Sequence, residues 1–506
     1  MENEQMSHKS KEALFDEARA IWAEIQDKTL SPKDRMAIPP QEMPAGEPSE
    51  RARQMSEVAL GYSEEQARVE AARCLGCKNR PCVAACPVGV PIPEFIACIQ
   101  DGDFAKAVAT IKMTNLLPAI CGRVCPQERQ CQSACTVGKS LKTVDKAVAI
   151  GRLERFVADW ERENGLIKAP EVSAPTGKKV AVVGSGPAGL TVAADVRRAG
   201  HEVTIFEAFH KTGGVMVYGI PEFRLPKAIV AKEVETLKEM GVHFRTNFLV
   251  GRTETLYNLL DKEGFDAAFI GTGAGLPKFM DIEGENLIGV FSANEYLTRA
   301  NLMKAYDTDR AATPLYQAKT VAVVGGGNVA MDAARMAYRL GADKVYCIYR
   351  RTRAEMPARS EEIQHAEEEG VEFLYLQNPT RIVGDETGRV RAIEVLDYEL
   401  GESDASGRRS PVAKAGTEHE IAVDAVIVAL GNESNPLMAQ TTEGLDVTKR
   451  GNIVVDEEQR TSLKRVWAGG DIVLGAATVI LAMGEGRKAA ANINRYLAGD
   501  EEEIAD

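Results

Sequence analysis

From residue 178 onward the chain alternates short, unbroken apolar runs with longer stretches of helical period. The runs Val180–Val183, Val203–Phe206, Ala267–Ile270, Val321–Val324, Val345–Tyr349 and Ala425–Leu430 lack the polar alternation of a half-exposed strand. Strands apolar on both faces belong to parallel sheets covered on both sides, and their alternation with helices predicts an α/β, doubly wound architecture. Two strand–helix–strand openings, near residues 180 and 320, predict two Rossmann-like units. Upstream the pattern differs. Residues 61–165 read as helices, and Lys168–Gly177, rich in Pro and small polar residues, reads as a linker. Residues 1–30 read as an amphipathic helix through Ala13, Leu14, Ala18, Ile21, Trp22 and Ile25, followed by a Pro-rich strap, Ile38–Pro44. That helix is expected to pack on its own chain rather than on a partner.

Composition narrows the class. The 506 residues, 44% hydrophobic, suit three or four domains. With 74 Asp+Glu against 61 Lys+Arg, the chain lacks the basic footprint of a nucleic-acid surface. No apolar run approaches the roughly 18–20 residues that span a bilayer, and the first residues carry no signal-peptide pattern. The expectation is a soluble, cytoplasmic protein.

Nine of the ten Cys lie between Cys74 and Cys135, with Cys347 far downstream. Disulfides would not crowd so in a chain without a secretory leader; thiolates gathered in a reducing compartment bind metal. The spacings are Cys74-x2-Cys77-x4-Cys82-x3-Cys86-Pro87 and Cys121-x3-Cys125-Pro126-x5-Cys131-x3-Cys135. Eight thiolates suffice for two [4Fe–4S] clusters, and Pro after a ligand Cys turns the chain away, as in bacterial ferredoxins. The competing use, structural zinc, favours two separated pairs. Cys98, on the apolar stretch Phe95–Ile99, is expected in the core.

Two glycine fingerprints follow. In the first, Gly184, Gly186 and Gly189 follow a strand and open a helix, and the next strand ends in Glu207, placed for ribose hydroxyls. In the second, Gly325, Gly327 and Asn328 open a helix, and the next strand ends in Arg350 and Arg351, which can pair with a 2′-phosphate, so this site is read as NADP(H)-binding. Late in the chain, Val466–Ile472 reads as a strand ending in Gly-Asp. Asp471 is expected to reach the first nucleotide, and the helix starting near Ala477 and Thr478 to aim its positive end at a flavin. These signals describe an FAD domain (178–285 and 435–500) split by an NADP(H) domain (286–434), behind an iron–sulfur domain (61–170) and an N-terminal extension (1–60).

With Cys74–Pro87, Leu117–Pro126, Ala149–Phe156, Gly213–Pro221 and Tyr349–Arg351, the chain from about residue 35 onward resembles the iron–sulfur flavoprotein family of the glutamate synthase small subunit. Within it the likeness is strongest to the large subunit of NADH-dependent reduced ferredoxin:NADP+ oxidoreductase, an electron-bifurcating transhydrogenase. The resemblance implies interleaved ligation: Cys74, Cys77, Cys82 and Cys135 on one [4Fe–4S] cluster, and Cys86, Cys125, Cys131 and Glu154 on the other, leaving Cys121 unliganded. The transhydrogenase subunit has a Glu at that last place; the plain alternative for Glu154 is an ion pair on a helix. The resemblance also implies that the loop holding Gly214 covers the flavin, with Arg224 on its N5 side; the alternative for Arg224 is a surface pair with Glu222.

The expected activity passes electrons between NADPH, FAD and the two clusters to ferredoxin or an NAD-linked flavoprotein, in a hetero-oligomer. A glutamate synthase small subunit is the alternative; it would need a separate large subunit, because no amidotransferase or barrel fits in this chain. An electron-relay scaffold with degenerate nucleotide sites is the third reading, and the intact glycine fingerprints oppose it. A disulfide reductase of the thioredoxin reductase kind is excluded by the isolation of Cys347.

Overall fold

The strand Lys179–Val183 shows why the apolar runs carry no alternation. Val180 and Val182 enter one hydrophobic core, with Leu190 and Val192 of the helix Pro187–Arg198 and with Ile480 and Met483 of the helix Val479–Ala498. Ala181 and Val183 enter another, with Phe248, Leu256, Leu259 and Ile472. Side chains alternate sides along a strand, so burial on both faces requires an unbroken apolar run. In this computed structural model, which describes residues 9–403 and 407–499, the strand is the centre of a five-stranded parallel sheet. The order is 466–468, 267–270, 179–183, 202–206, 243–245. The late strand Val466–Ala468 thus returns to the first nucleotide unit.

A second parallel sheet has the order 290–292, 425–428, 320–324, 344–349, 372–375. Val321 and Val323 face the helix Asn328–Arg339, whereas Ala322 and Val324 pack on Ile382, Val390 and Ile393. Those last three belong to an antiparallel sheet formed by strands within 377–422. The sequence pattern did not disclose this sheet. It, rather than helices, covers the second face. The two crossings between the nucleotide units pair with each other, Pro277 with Asn432 and Leu276 with Glu433.

The Cys-rich region is helical, with main helices Glu64–Ala72, Ile92–Asp101, Phe104–Lys112, Pro118–Val124 and Ile150–Glu163. The N-terminal helix, Lys11–Ile25, packs on the first of these. Ile21, Trp22 and Ile25 lie on Ile38, Val69 and Ala72, and Arg68 sits 4.6 Å over the Trp22 ring. The expected helix over 1–30 is therefore shorter and covers its own chain; residues 1–8 lie outside the described residues. The strap after it runs across to the second nucleotide unit, where Arg51 pairs with Glu368 and Glu369, and on the way Val58 N donates to Phe223 O (3.0 Å) in the loop of the first unit. Among the described residues no helix is long and apolar enough to cross a membrane.

Candidate functional site

All ten Cys are free thiols. Cys74, Cys77, Cys82 and Cys135 line a single small cavity, walled by Ile92, Ile96, Val137, Val148 and Ile150. Cys74 follows the helix Glu64–Ala72, Cys82 lies in the short helix Pro81–Ala84, and Cys135 caps the helix Thr136–Ser140. A hydrogen bond from Cys77 Sγ to Thr136 Oγ1 (3.2 Å) joins the two segments. Burial, with the neighbouring Cys74 and Cys135, pushes the Cys82 thiol up to about 12. Thiols so placed resist ionising unless a cation binds them. Among the described residues no three His, Cys, Asp or Glu side chains converge at the spacing of a single metal ion. Four thiols drawn from two separate segments onto one apolar-walled cavity make a donor set suited to an iron–sulfur cluster.

Cys86, Cys125, Cys131 and Glu154 lie in a second group together with Cys121: all four thiols feel the Glu154 charge, and Cys121 and Cys125 share a hydrogen bond. Close helix packing brings them together. A Cβ on Gly122 would lie 2.6 Å from Arg155 N, so only glycine lets the helix Pro118–Val124 seat against Ile150–Glu163. Glu154 is buried, and among the described residues the one side-chain hydrogen bond it accepts comes from Asn115 Nδ2 (2.6 Å). Burial pushes its carboxyl up to about 8. It makes no ion pair among the described residues, which removes the helical ion-pair alternative. A desolvated carboxylate with no cation beside three buried thiols fits a cluster-ligand position. Cys121 is also buried, its Sγ 3.7 Å from both Asn115 Oδ1 and Met483 Sδ. Cys98 is in the core.

At the first fingerprint, the helix Pro187–Arg198 starts directly after Gly186, and a Cβ on Gly189 would lie 2.0 Å from Gly184 O. Beyond Gly186, by contrast, a Cβ would meet open space at the helix N-terminus, a cradle suited to a pyrophosphate. Glu207, at the end of the next strand, accepts from Ser185 N (3.0 Å) and Phe209 N (2.8 Å). The loop at Gly213 and Gly214 lies on this turn: Gly213 N donates to Ser185 Oγ (2.9 Å), and a Cβ on Gly214 would approach Gly186 Cα to 2.8 Å. Burial pushes Asp471 up to about 6; the Ala477 N–H that it accepts opposes this. Tyr218 sits within the fields of both Asp471 and Glu207, so the three side chains lie near one another. Thr478 caps the helix Val479–Ala498 by accepting from Leu481 N (3.3 Å).

At the second fingerprint, Gly325 and Gly327 precede the helix Asn328–Arg339, and Asn328 Oδ1 accepts from Arg359 N (2.9 Å). The fold separates the two arginines that the sequence lists together. Arg350 is exposed at the strand end, whereas Arg351 is buried and donates from Nε to Arg409 O (2.7 Å) on the antiparallel sheet.

Arg224 does not form the surface pair with Glu222. Its guanidinium is buried and spent on Asp332 (2.7 and 2.8 Å) and Glu362 (3.1 Å), both in the second nucleotide unit. Glu222 instead accepts from Lys227 N. Arg224 therefore ties the flavin-side loop to the neighbouring unit. Residues that sequence reasoning missed connect the parts: Gln130 Nε2 donates to Thr478 Oγ1 (3.4 Å), and a Cβ on Gly484 would meet Pro87 O at 3.0 Å.

The family described as dihydropyrimidine dehydrogenase domain II, 4Fe-4S cluster, matches residues 51–166, and that described as pyridine nucleotide-disulphide oxidoreductase matches 178–486. The chain is 38% identical over 462 residues to the glutamate synthase [NADPH] small chain of Azospirillum brasilense, covering 90% of this chain and 94% of that one. It is 40% identical over 439 residues to the NADP(+)-dependent formate dehydrogenase subunit beta of Moorella thermoacetica, covering 82% of this chain and 60% of that one. Among solved structures, Mycobacterium tuberculosis FprA in complex with NADPH shares the fold (TM-score 0.53, 19% identity, 65% of this chain and 87% of that one).

Proposed function

Because the chain belongs to the glutamate synthase small-chain family of pyridine nucleotide-disulphide oxidoreductases with a 4Fe-4S domain, we propose that it is the NADPH-facing subunit of a larger redox enzyme. In this reading it takes electrons from NADPH at an FAD and delivers them through two [4Fe–4S] clusters to a separate partner. The observation that carries the reading is the seat of the helix Val479–Ala498. Its start lies beside Asp471, which accepts from Ala477 N, and Thr478, Met483 and Gly484 touch Gln130, Cys121 and Pro87 of the cysteine block.

When bound, FAD exchanges a hydride with NADPH and single electrons with iron–sulfur clusters. The chain's own residues bind, orient and seal. Gly184, Gly186 and Gly189 present backbone N–H groups to the FAD pyrophosphate, with Glu207 and Asp471 as hydrogen-bond acceptors along the dinucleotide. The positive start of the helix at Thr478 would stabilise the negative charge that reduction places on the flavin. Gly325, Gly327 and Asn328 hold the second dinucleotide, and the Arg224 tie keeps the two units in one closed arrangement. Orientation of this kind, without an acid–base side chain, is what hydride transfer requires. Cys74, Cys77, Cys82 and Cys135 hold one cluster; Cys86, Cys125, Cys131 and Glu154 hold the other.

For the partner, the first reading is a glutamate synthase-type large subunit, supported by the near-complete overlap with that small chain. The second is ferredoxin with an NAD-linked flavoprotein, as in a bifurcating transhydrogenase; the unpaired Glu154 favours it. Anaerobic purification from the native host tests both. The proposed chain carries FAD and about eight iron atoms, and NADPH bleaches its flavin. A colourless or zinc-loaded protein would remove the proposal. A copurifying amidotransferase supports the first partner, and a ferredoxin or NAD-linked flavoprotein the second.

The arginine pair supplies a further test. Arg350→Ala is expected to raise the KM for NADPH about tenfold or more, the cost of one charge-assisted hydrogen bond, with little change for NADH. Arg351→Ala is expected to lower thermal stability through loss of its bond to Arg409 O. Steady-state kinetics with both nucleotides decide it; equal effects on NADPH and NADH in the Arg350 variant would reject the 2′-phosphate role.

A further inference from the structure

Asn115 is fully buried in the turn between the helices Phe104–Lys112 and Pro118–Val124. Its side-chain amide is committed at both ends. Oδ1 accepts from Leu117 N (2.9 Å), the start of the helix that carries Cys121 and leads to Cys125, and lies 3.7 Å from Cys121 Sγ. With the oxygen so engaged, the amide orientation is fixed and Nδ2 must point to Glu154 Oε1, 2.6 Å away. Oε2 of Glu154 makes no hydrogen bond among the described residues. One oxygen is thus held while the other is left for a different partner.

We propose that Asn115 is the positioning residue of the second cluster: it locks Glu154 in the ligand rotamer and, by donating to the carboxylate, weakens that ligand as an electron donor. The inference rests on the reading of Glu154 as a ligand and extends it. Outer partners that orient a ligand govern both metal retention and potential, and hydrogen bonding around a cluster raises the ease of its reduction. Asn115 also ties Glu154 to the segment bearing Cys125, so ligands far apart in sequence share one anchor.

The test uses the full, anaerobically purified chain with Asn115→Ser, which can still cap Leu117 N but is too short to reach Glu154. Redox titration followed by electron paramagnetic resonance should show one cluster signal moved to lower potential and the other unmoved. Iron release to a chelator from the affected cluster should be about 10–100-fold faster, with FAD content unchanged. Wild-type potentials and release rates for both clusters would overturn the proposal. If the serine variant does not yield folded protein, Asn115→Thr is judged by the same outcomes. Glu154→Ala separates the two layers. Unchanged signals of both clusters in that variant overturn the ligand reading itself. A changed second cluster there, beside an unchanged one in the Asn115 variant, overturns only the positioning role.

Discussion

Glu369→Ala is expected to destabilise the protein by about 3–5 kcal/mol, the cost of leaving buried charges without their counterion. The Glu369 carboxylate is wholly buried and receives Arg335 (Nη2 2.7 Å, Nε 3.0 Å), Arg339 (Nη1 2.7 Å) and Arg51 (Nε 3.3 Å). Arg335 and Arg339 are themselves without exposure, stacked over the Phe223 ring at 4.7 and 3.9 Å. Without Glu369, Arg335 keeps only Glu362, and Arg339 keeps only backbone carbonyls. A loss of that size is a large part of a domain's usual 5–15 kcal/mol. It also weakens the strap's hold on the second nucleotide unit, leaving Arg51 with Glu368. Denaturant unfolding measures it, and a Glu369→Ala midpoint equal to wild type would reject the network as a stabilising unit.

The pH dependence carries a definite sign. The surrounding guanidiniums hold the Glu369 carboxyl well below the usual carboxylate range, against burial, which pushes it upward. Arg359 and Arg152 likewise hold Glu361 down, to about 2. Groups depressed on folding contribute stability that is complete above the unfolded value of about 4.3 and is lost as pH falls through the folded one. The stability gap between wild type and Glu369→Gln should therefore be constant from neutral pH to about 5 and narrow below about 4.

The pairing of Arg51 with Glu369 could not be read from the sequence, because the two stand 318 residues apart. What was legible had a local cause. The six anticipated strands are present to within a residue or two at their ends, since two-sided burial writes an apolar run directly into the chain. The strand Val390–Ser403 escaped notice because only one of its faces is buried, and charged residues interrupt it. The glycine fingerprints announced backbone geometry at single positions. Arg224, in contrast, showed its charge but not its destination, which Asp332 decides from a helix in another unit. Arg350 and Arg351 are one dipeptide in sequence; only the antiparallel sheet, through Arg409 O, distinguishes them. Cys spacing grouped Cys121 with Cys125, Cys131 and Cys135, yet Cys135 lines a cavity with Cys74, Cys77 and Cys82.

That last difference yields the second large effect. Under interleaved ligation, Cys135→Ser and Cys82→Ser should remove the same cluster, because both side chains face one cavity although they lie in different segments. Each variant should retain about four of the eight iron atoms. Cys86→Ser and Cys131→Ser should instead both remove the other cluster, leaving the first signal intact. Cys121→Ser should keep all the iron under that scheme, which gives its sulfur no ligand place although it lies beside Cys125 as well as Asn115 and Met483. Sequential ligation predicts the opposite grouping: Cys135 and Cys131 would share a phenotype, Cys82 and Cys86 would share the other, and Cys121→Ser would cost iron. Iron content and electron paramagnetic resonance of the five variants choose between the schemes without any assay of activity. Ligands drawn from two distant segments also make each cluster a covalent clamp on the fold. Loss of the Cys135 cluster is therefore expected to loosen the contact between the segments around Cys77 and Thr136. Faster proteolysis there, with the flavin still bound, is the accompanying sign.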